Sequence, residues 1–254
     1  MDSDQLKFIW RQINDRLLSV DFERIWPGFS SVDFALYTPD LMCFKDSLSP
    51  RPDSFIGNTS IMHEGAPIAI WNMSYTAIEG DDSLDRLAAN LIHETFHAFQ
   101  RLQGETRFAH DLELLLYPCN SPLAGWARRE AALLTRAVLD ENRERTMKAL
   151  TALAAIRREK DRLTGGATLD EYRAETTEGL AEHAGYLGLC QLNPPLADKQ
   201  LHRYKEQLCQ ADTLLDVRRR AYFTGTLLAI AAGRAGLSVV HDLSEEKTFW
   251  DWLA

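Results

Sequence analysis

The β-prone segments of this chain are confined to one stretch near the N-terminus, between residues 32 and 72. Three short runs at 32–37, 54–56 and 67–71 are separated by Pro, Gly, Asn and Asp. They predict a small sheet of about three or four strands, which we expect to be antiparallel. Elsewhere the apolar residues recur with helical spacing. The chain is therefore predicted to have an α+β fold, mostly helical, with the small sheet packed on a helical body.

Helical periodicity divides the remainder of the chain into separate helices. Thr168 and Glu171 form a capping-box pattern at the start of one of them. The predicted helices cover residues 4–20, 81–102, 121–163 with a break near Asn142, 168–192, 197–211 and 213–235, followed by a short C-terminal piece.

Length and composition limit the class of protein. The 254 residues allow a single domain over 1–254, with a sheet-bearing lobe at 1–80 and a helical lobe at 81–254. A net charge of −9 argues against a nucleic-acid partner. The N-terminus lacks the basic and apolar regions of a secretory signal, and no apolar run reaches the length of about 18 residues that a membrane span needs.

The four cysteines, Cys43, Cys119, Cys190 and Cys209, are scattered and form no C-x-x-C pair. This spacing predicts buried, reduced thiols rather than a disulfide framework or a sulfur-rich metal site. Together with the absence of a secretory pattern, it predicts a cytoplasmic protein with no membrane partner.

The most specific motif is the run from His93 to His97, which spells H-E-x-x-H inside the predicted helix 81–102. Residues four apart lie on one face of a helix, so both imidazoles can reach a single ion. Glu94 lies beside the pair, where its carboxylate could handle a metal-bound water. Two neutral nitrogen ligands and a proton-moving carboxylate are the arrangement of zinc hydrolases. The competing interpretation is a helix with two partly buried histidines and a surface glutamate.

A third ligand is expected, because two histidines rarely hold catalytic zinc alone. On the predicted helix 168–192, Glu171, Glu175, Glu178 and Glu182 follow steps that place them on one face. Like charges stacked in this way cost energy unless a positive group faces them, and either a divalent ion or nearby arginines could do so. The alternative interpretation is a solvated acidic face paired with arginines.

The H-E-x-x-H motif, with E-G-x-A at 178–181 on a later helix, resembles the gluzincin class of zinc metallopeptidases. The resemblance implies that His93, His97 and Glu178 bind zinc and that Glu94 is the general base. Glu175 is the main rival of Glu178 for the ligand role and would otherwise support a ligand, and Glu182 could exchange roles with it. The resemblance does not cover residues 104–167, which separate the two motif helices.

The same resemblance implies two further features of the site. Glu182, four residues after the ligand glutamate, would orient a zinc-bound histidine. The run at 67–71 would be a substrate-binding edge strand.

The implied mechanism is hydrolysis by a zinc-activated water, whose pKa falls to about 7. Glu94 would accept the proton of that water and pass it to the leaving amine. A donor to the developing oxyanion is also needed. Tyr222 is the first choice by resemblance, and His183 and Tyr186 are the alternatives.

We therefore expect a zinc-dependent hydrolase, a metallopeptidase that acts on a peptide or protein substrate. Two other classes remain open: a catalytically inactive metal-binding regulator or scaffold, and a metal-free helical interaction protein. The presence of Glu94 disfavours a purely structural metal site, because such a site needs no base. The four-glutamate stripe disfavours the metal-free class.

Overall fold

The structure is a computed structural model that describes residues 1–118, 120–140 and 142–253. Within these residues the fold is α+β and mostly helical, with a five-stranded sheet near the N-terminus. The strands are β1 (Asp33–Tyr37), β2 (Leu41–Phe44), β3 (Ser47–Pro50), β4 (Thr59–His63) and β5 (Ala66–Asn72). The helices are α1 (Ser3–Ser19), α2 (Asp81–Leu102), α3 (Asp111–Leu115), α4 (Ser121–Leu139), α5 (Arg143–Thr164), α6 (Thr168–Ala174), α7 (Leu180–Leu192), α8 (Pro194–Leu208), α9 (Ala211–Leu215), α10 (Val217–Arg234) and α11 (Phe249–Leu253).

The chain forms two compact units that do not divide at residue 80. The first unit contains residues 1–103 and 184–198, and the second contains 104–183 and 199–254. The lobes expected at 1–80 and 81–254 therefore differ from the observed units, since α2 belongs with the sheet. The reason is burial: α2 packs against both α1 and β5, which cover its apolar face.

The sheet is mixed rather than antiparallel, with the strand order β3-β2-β1-β5-β4. β1 pairs with β5 in parallel, and the other neighbouring strands pair antiparallel. We expected an antiparallel sheet of three or four strands. That expectation is wrong on both counts, because the sheet has five strands and contains one parallel pair. Residues 54–56 form no strand; Phe55 instead fills the core beneath the sheet with Tyr37 and Ile68.

A tight hairpin joins β4 to β5 and determines which strand lies at the edge. Glu64 and Gly65 form the turn with positive φ angles of 49° and 82°, a geometry that glycine adopts without steric cost. β5 lies between β1 and β4. The prediction that residues 67–71 form an edge strand is therefore wrong, because the hairpin places β4 outside them.

The second unit is held together by a buried ion cluster, defined here as Glu130, Arg157, Lys160, Glu171, Glu175 and Arg220. Each of these side chains is at most 4% exposed, and the three positive and three negative charges cancel. Arg157 donates to both carboxylate oxygens of Glu175 at 2.8 Å and to Glu130 at 2.7 Å. Lys160 bridges Glu130 and Glu171 at 2.6 and 2.8 Å.

Arg220 completes the cluster by donating to Glu171 at 2.7 Å, and Tyr117 donates its hydroxyl to the same carboxylate. Burial alone would raise the pKa of the Glu171 carboxyl. Arg220 and Lys160 outweigh that effect and hold its pKa below the ordinary value. Glu171 is consequently an ion-pair residue, and the capping box expected between Thr168 and Glu171 does not form: Thr168 donates its hydroxyl to Asp161.

A π-helical segment, Glu175–Gly179, continues α6 into α7 where the sequence predicts uninterrupted α-helix. This π-helical segment packs closely against α10. A Cβ on Gly179 would lie 2.5 Å from the Cα of Gly225, so the two backbones touch without a side chain between them. The glycine of the E-G-x-A pattern therefore has a packing role in this fold.

The thiols differ in their surroundings. Cys43 is buried, as expected, and desolvation raises its pKa to about 11. Cys190 is half-buried and Cys209 is exposed, so the expectation of burial is wrong for Cys209. Cys119 lies outside the described residues. Across the described residues, no helix has the length and apolar character needed to cross a membrane.

Candidate metal centre

Helix α2 carries the H-E-x-x-H motif, and its ends are well defined. It begins after Gly80, whose φ of 118° suits glycine. Ser83 closes the first turn by accepting a hydrogen bond from the Glu79 backbone at 2.8 Å. The helix ends at Leu102, before Gly104 with a φ of 84°. These boundaries agree with the sequence prediction, and they place the motif within the helix rather than at an end.

An aromatic cluster fixes one side of α2 in the first unit. Phe29 packs edge-on against Phe96 with ring centroids 5.2 Å apart, and also contacts Phe99 at 5.2 Å. Trp26 packs against Phe96 at 5.5 Å. Phe96 is fully buried and lies inside the motif. The rings therefore set the rotation of the helix that presents the two histidines.

The C-terminal part of α7 approaches α2 closely beside the first histidine. A Cβ on Gly185 would lie 2.7 Å from the backbone oxygen of Ala89 and 3.5 Å from the Cβ of His93. A Cβ on Gly188 would meet the terminal methyl of Ile92, at 2.3 Å. The first contact is with rigid backbone, whereas the second is with the end of a flexible side chain.

We predict that Gly185→Ala destabilises the protein by about 1–3 kcal/mol, because overpacking against the Ala89 carbonyl must move a helix. Gly188→Ala is the matched control, since the Ile92 side chain can rotate and alanine has the better helix propensity. Urea unfolding of both variants measures the difference. Equal stabilities for the two variants would contradict the role assigned to the Ala89 contact.

The structure brings His93, Glu94 and His97 into one buried group. Their exposed fractions are 6%, 8% and 7%. The Nε2 atoms of the two histidines lie 3.0 Å apart, and a carboxylate oxygen of Glu94 is within 4.8 Å of both rings' ligand atoms. The interpretation of Glu94 as a surface residue is therefore excluded. Among the described residues, this is the group of His, Cys, Asp and Glu side chains that could hold a metal ion.

Gln100 is a residue of this site that the sequence analysis missed. It is fully buried one turn after His97, and its Oε1 lies 2.8 Å from His97 Nδ1. A hydrogen bond at Nδ1 orients the ring and directs Nε2 toward the other histidine. The i, i+3 spacing from His97 was the available signal, since residues at that distance are neighbours on a helix.

Imidazole nitrogens beside a carboxylate suit several divalent metal ions, of which zinc is one. Zinc prefers imidazole nitrogens at about 2.0–2.1 Å, and tetrahedral geometry then requires the two nitrogens to be about 3.3 Å apart. The observed Nε2···Nε2 separation of 3.0 Å is close to that value. Two nitrogen lone pairs this close repel each other unless a proton or a cation lies between them. His93 and His97 are the residues that would hold the ion.

The glutamates proposed from the second motif belong to the second unit, whereas the histidines belong to the first. Glu178 is half-buried in the π-helical segment, and its role as a ligand remains a prediction. Glu182 accepts a hydrogen bond from Tyr204 at 2.6 Å. Glu175 is paired with Arg157 through both oxygens. The metal-site roles predicted for Glu182 and Glu175 also remain predictions.

The three candidate oxyanion donors have different surroundings. Tyr222 lines a cavity of about 340 Å³ together with Glu182 and Phe223. Burial lowers the pKa of His183 to about 4, so its imidazole is neutral at neutral pH. Tyr186 packs in the first unit against the apolar cluster that includes Ala89 of α2. The choice of Tyr222 remains a prediction.

Comparisons with protein-family models, with curated proteins and with solved structures found no match to this chain.

Proposed function

We propose that this protein is a zinc-dependent hydrolase of gluzincin type that cleaves peptide bonds. The observation that carries the proposal is the buried His93-Glu94-His97 group, with its two Nε2 atoms 3.0 Å apart. Removing two imidazoles and a carboxylate from water costs free energy, which hydrogen bonds or a cation must offset. A cation shared by the two facing Nε2 atoms would contribute to that offset.

A zinc ion in this group would act as a Lewis acid that brings the pKa of a water molecule toward neutrality. The residues of this chain have separate tasks in the proposed reaction. His93 and His97 hold the ion, and Glu178 is the proposed third ligand. The Glu94 carboxylate accepts a proton from the attacking water and donates it to the nitrogen of the leaving amine. Its distance of at most 4.8 Å from the ring nitrogens lets it reach such a water.

The edge strand β4 supports a peptide as substrate. Arg101, one turn after His97 on α2, donates to the backbone oxygen of Ser60 at 3.2 Å and so ties β4 to the motif helix. The remaining outward backbone groups of an edge strand can pair with an extended peptide. A peptide bound in this way would run beside the helix that carries His93 and Glu94.

Metal analysis tests the proposal. We expect the purified protein to carry about one zinc ion per chain, and His93→Ala to lose it, because one imidazole cannot hold the ion. His202→Ala is the control, since His202 is exposed on α8. Elemental mass spectrometry of the dialysed proteins gives the stoichiometry. Equal metal content in both variants would refute the site.

Glu178→Ala tests the third ligand separately. We expect this variant to lose zinc as well. Zinc retained without Glu178 would place the third ligand elsewhere, and zinc bound without any peptide cleavage would favour a metal-binding regulator.

A further inference from the structure

We propose that Gln100 is a positioning residue that fixes the tautomer of His97 and so prepares the histidine pair for a cation. The inference rests on the proposed function for its purpose. It describes the metal-free protein, however, and can be tested without metal or substrate. Gln100 is fully buried, and its Oε1 lies 2.8 Å from His97 Nδ1.

The amide oxygen of Gln100 accepts hydrogen bonds and cannot donate them. Contact between Gln100 Oε1 and His97 Nδ1 therefore requires the proton of the neutral imidazole to be on Nδ1. Nε2 then carries a lone pair. A neutral imidazole in water favours the opposite tautomer, with the proton on Nε2, where it would block the ligand atom. Gln100 thus reverses the intrinsic preference of the ring.

The tautomer of His97 also determines that of His93. The Nε2 of His93 is 3.0 Å from the Nε2 of His97, a hydrogen-bond distance. Because Gln100 makes His97 Nε2 an acceptor, His93 Nε2 must carry the proton in the metal-free protein. A cation that bound both Nε2 atoms would take the place of this proton, which would move to Nδ1 of the same ring by exchange with water. His97 keeps its tautomer throughout.

Nitrogen NMR of the metal-free, full-length protein tests the assignment. Long-range ¹H–¹⁵N correlation spectra distinguish protonated from unprotonated ring nitrogens. We expect His97 to show a protonated Nδ1 and an unprotonated Nε2, and His93 to show a protonated Nε2. In Gln100→Leu the His97 proton should move to Nε2, and in Gln100→Glu it should remain on Nδ1, because a carboxylate also accepts.

Gln103→Leu is the matched control, since Gln103 is exposed at the end of the same helix. Its spectra should match the wild type. A wild-type His97 with its proton on Nε2 would overturn the proposal, and this measurement decides the matter even if Gln100→Leu fails to fold. An unchanged His97 tautomer in a folded Gln100→Leu variant would overturn it equally.

Zinc affinity gives an independent readout. Loss of a group that orients a metal ligand typically weakens binding by about 10–100-fold. We expect a loss of this size in Gln100→Leu, measured by competition with a chelator, and none in Gln103→Leu. Equal affinities in these two variants would contradict the positioning role. A wild-type protein that binds no zinc would instead refute the proposed function, and would leave the tautomer result unaffected.

Discussion

Arg157→Met is expected to lower the free energy of unfolding by about 3–5 kcal/mol, the cost of removing one partner from a buried ion pair. Arg157 is 1% exposed and donates to Glu130 and to both oxygens of Glu175. Its guanidinium also lies over the rings of Tyr172 and Trp250, at 4.8 and 4.5 Å. Methionine can fill much of the volume but leaves Glu175 without these hydrogen bonds. Urea unfolding monitored by circular dichroism measures the change.

Arg162→Met is the matched control for this prediction. Arg162 lies on the same helix, α5, and forms an exposed ion pair with Glu159, with an N···O distance of 2.6 Å. Its side chain is 68% exposed. Exposed pairs of this kind contribute between about 0 and 1 kcal/mol, so we expect a small change. Similar losses in the two variants would show that the cluster does not stabilise the protein beyond an ordinary surface pair.

Glu94→Gln is expected to reduce the rate of peptide hydrolysis by about 10²–10⁴-fold, the usual contribution of a general base. Glutamine has the shape of glutamate but cannot accept a proton from the attacking water. The two histidines are unchanged, so the variant should retain its zinc. A peptide library analysed by mass spectrometry identifies a cleaved sequence, on which kcat and KM can then be measured.

Glu64→Gln is the control for Glu94→Gln. Glu64 also follows a histidine, His63, but lies exposed in the turn between β4 and β5. Hydrolysis by this variant should equal that of the wild type. Unchanged cleavage by Glu94→Gln would refute the assigned base. Loss of zinc from that variant would indicate that Glu94 is a ligand rather than a base.

Local patterns in the sequence predicted the helices better than the sheet. Apolar spacing located α1 and α2, and Asn142 was correctly placed at the break between α4 and α5, where its side chain accepts from the Arg145 backbone. Strand partners depend instead on distant residues. The parallel pairing of β1 with β5 has no local signal, and Phe55 was mistaken for a strand residue because a buried loop can be equally apolar.

In the candidate site, too, the sequence predicted best what depends on neighbouring residues. His93, Glu94 and His97 lie within about one turn of a helix, so the helix alone brings them together. The glutamate stripe was expected to face either an ion or arginines. For Glu171 and Glu175 the structure shows cations of the chain itself: Arg220 and Lys160 contact the first, and Arg157 contacts the second. Glu178 and Glu182 are half-buried. The π-helical segment that contains Glu175 and Glu178 interrupts the α-helical spacing that the prediction assumed.

The buried ion cluster also implies an unusual response to heat. Hydration of charged groups becomes less favourable as temperature rises, so the penalty for keeping six charges away from water decreases on warming. Apolar contacts gain no comparable advantage, because their stabilisation per unit area levels off. The share of the second unit's stability that comes from this cluster should therefore be larger in a hot environment than in a cold one.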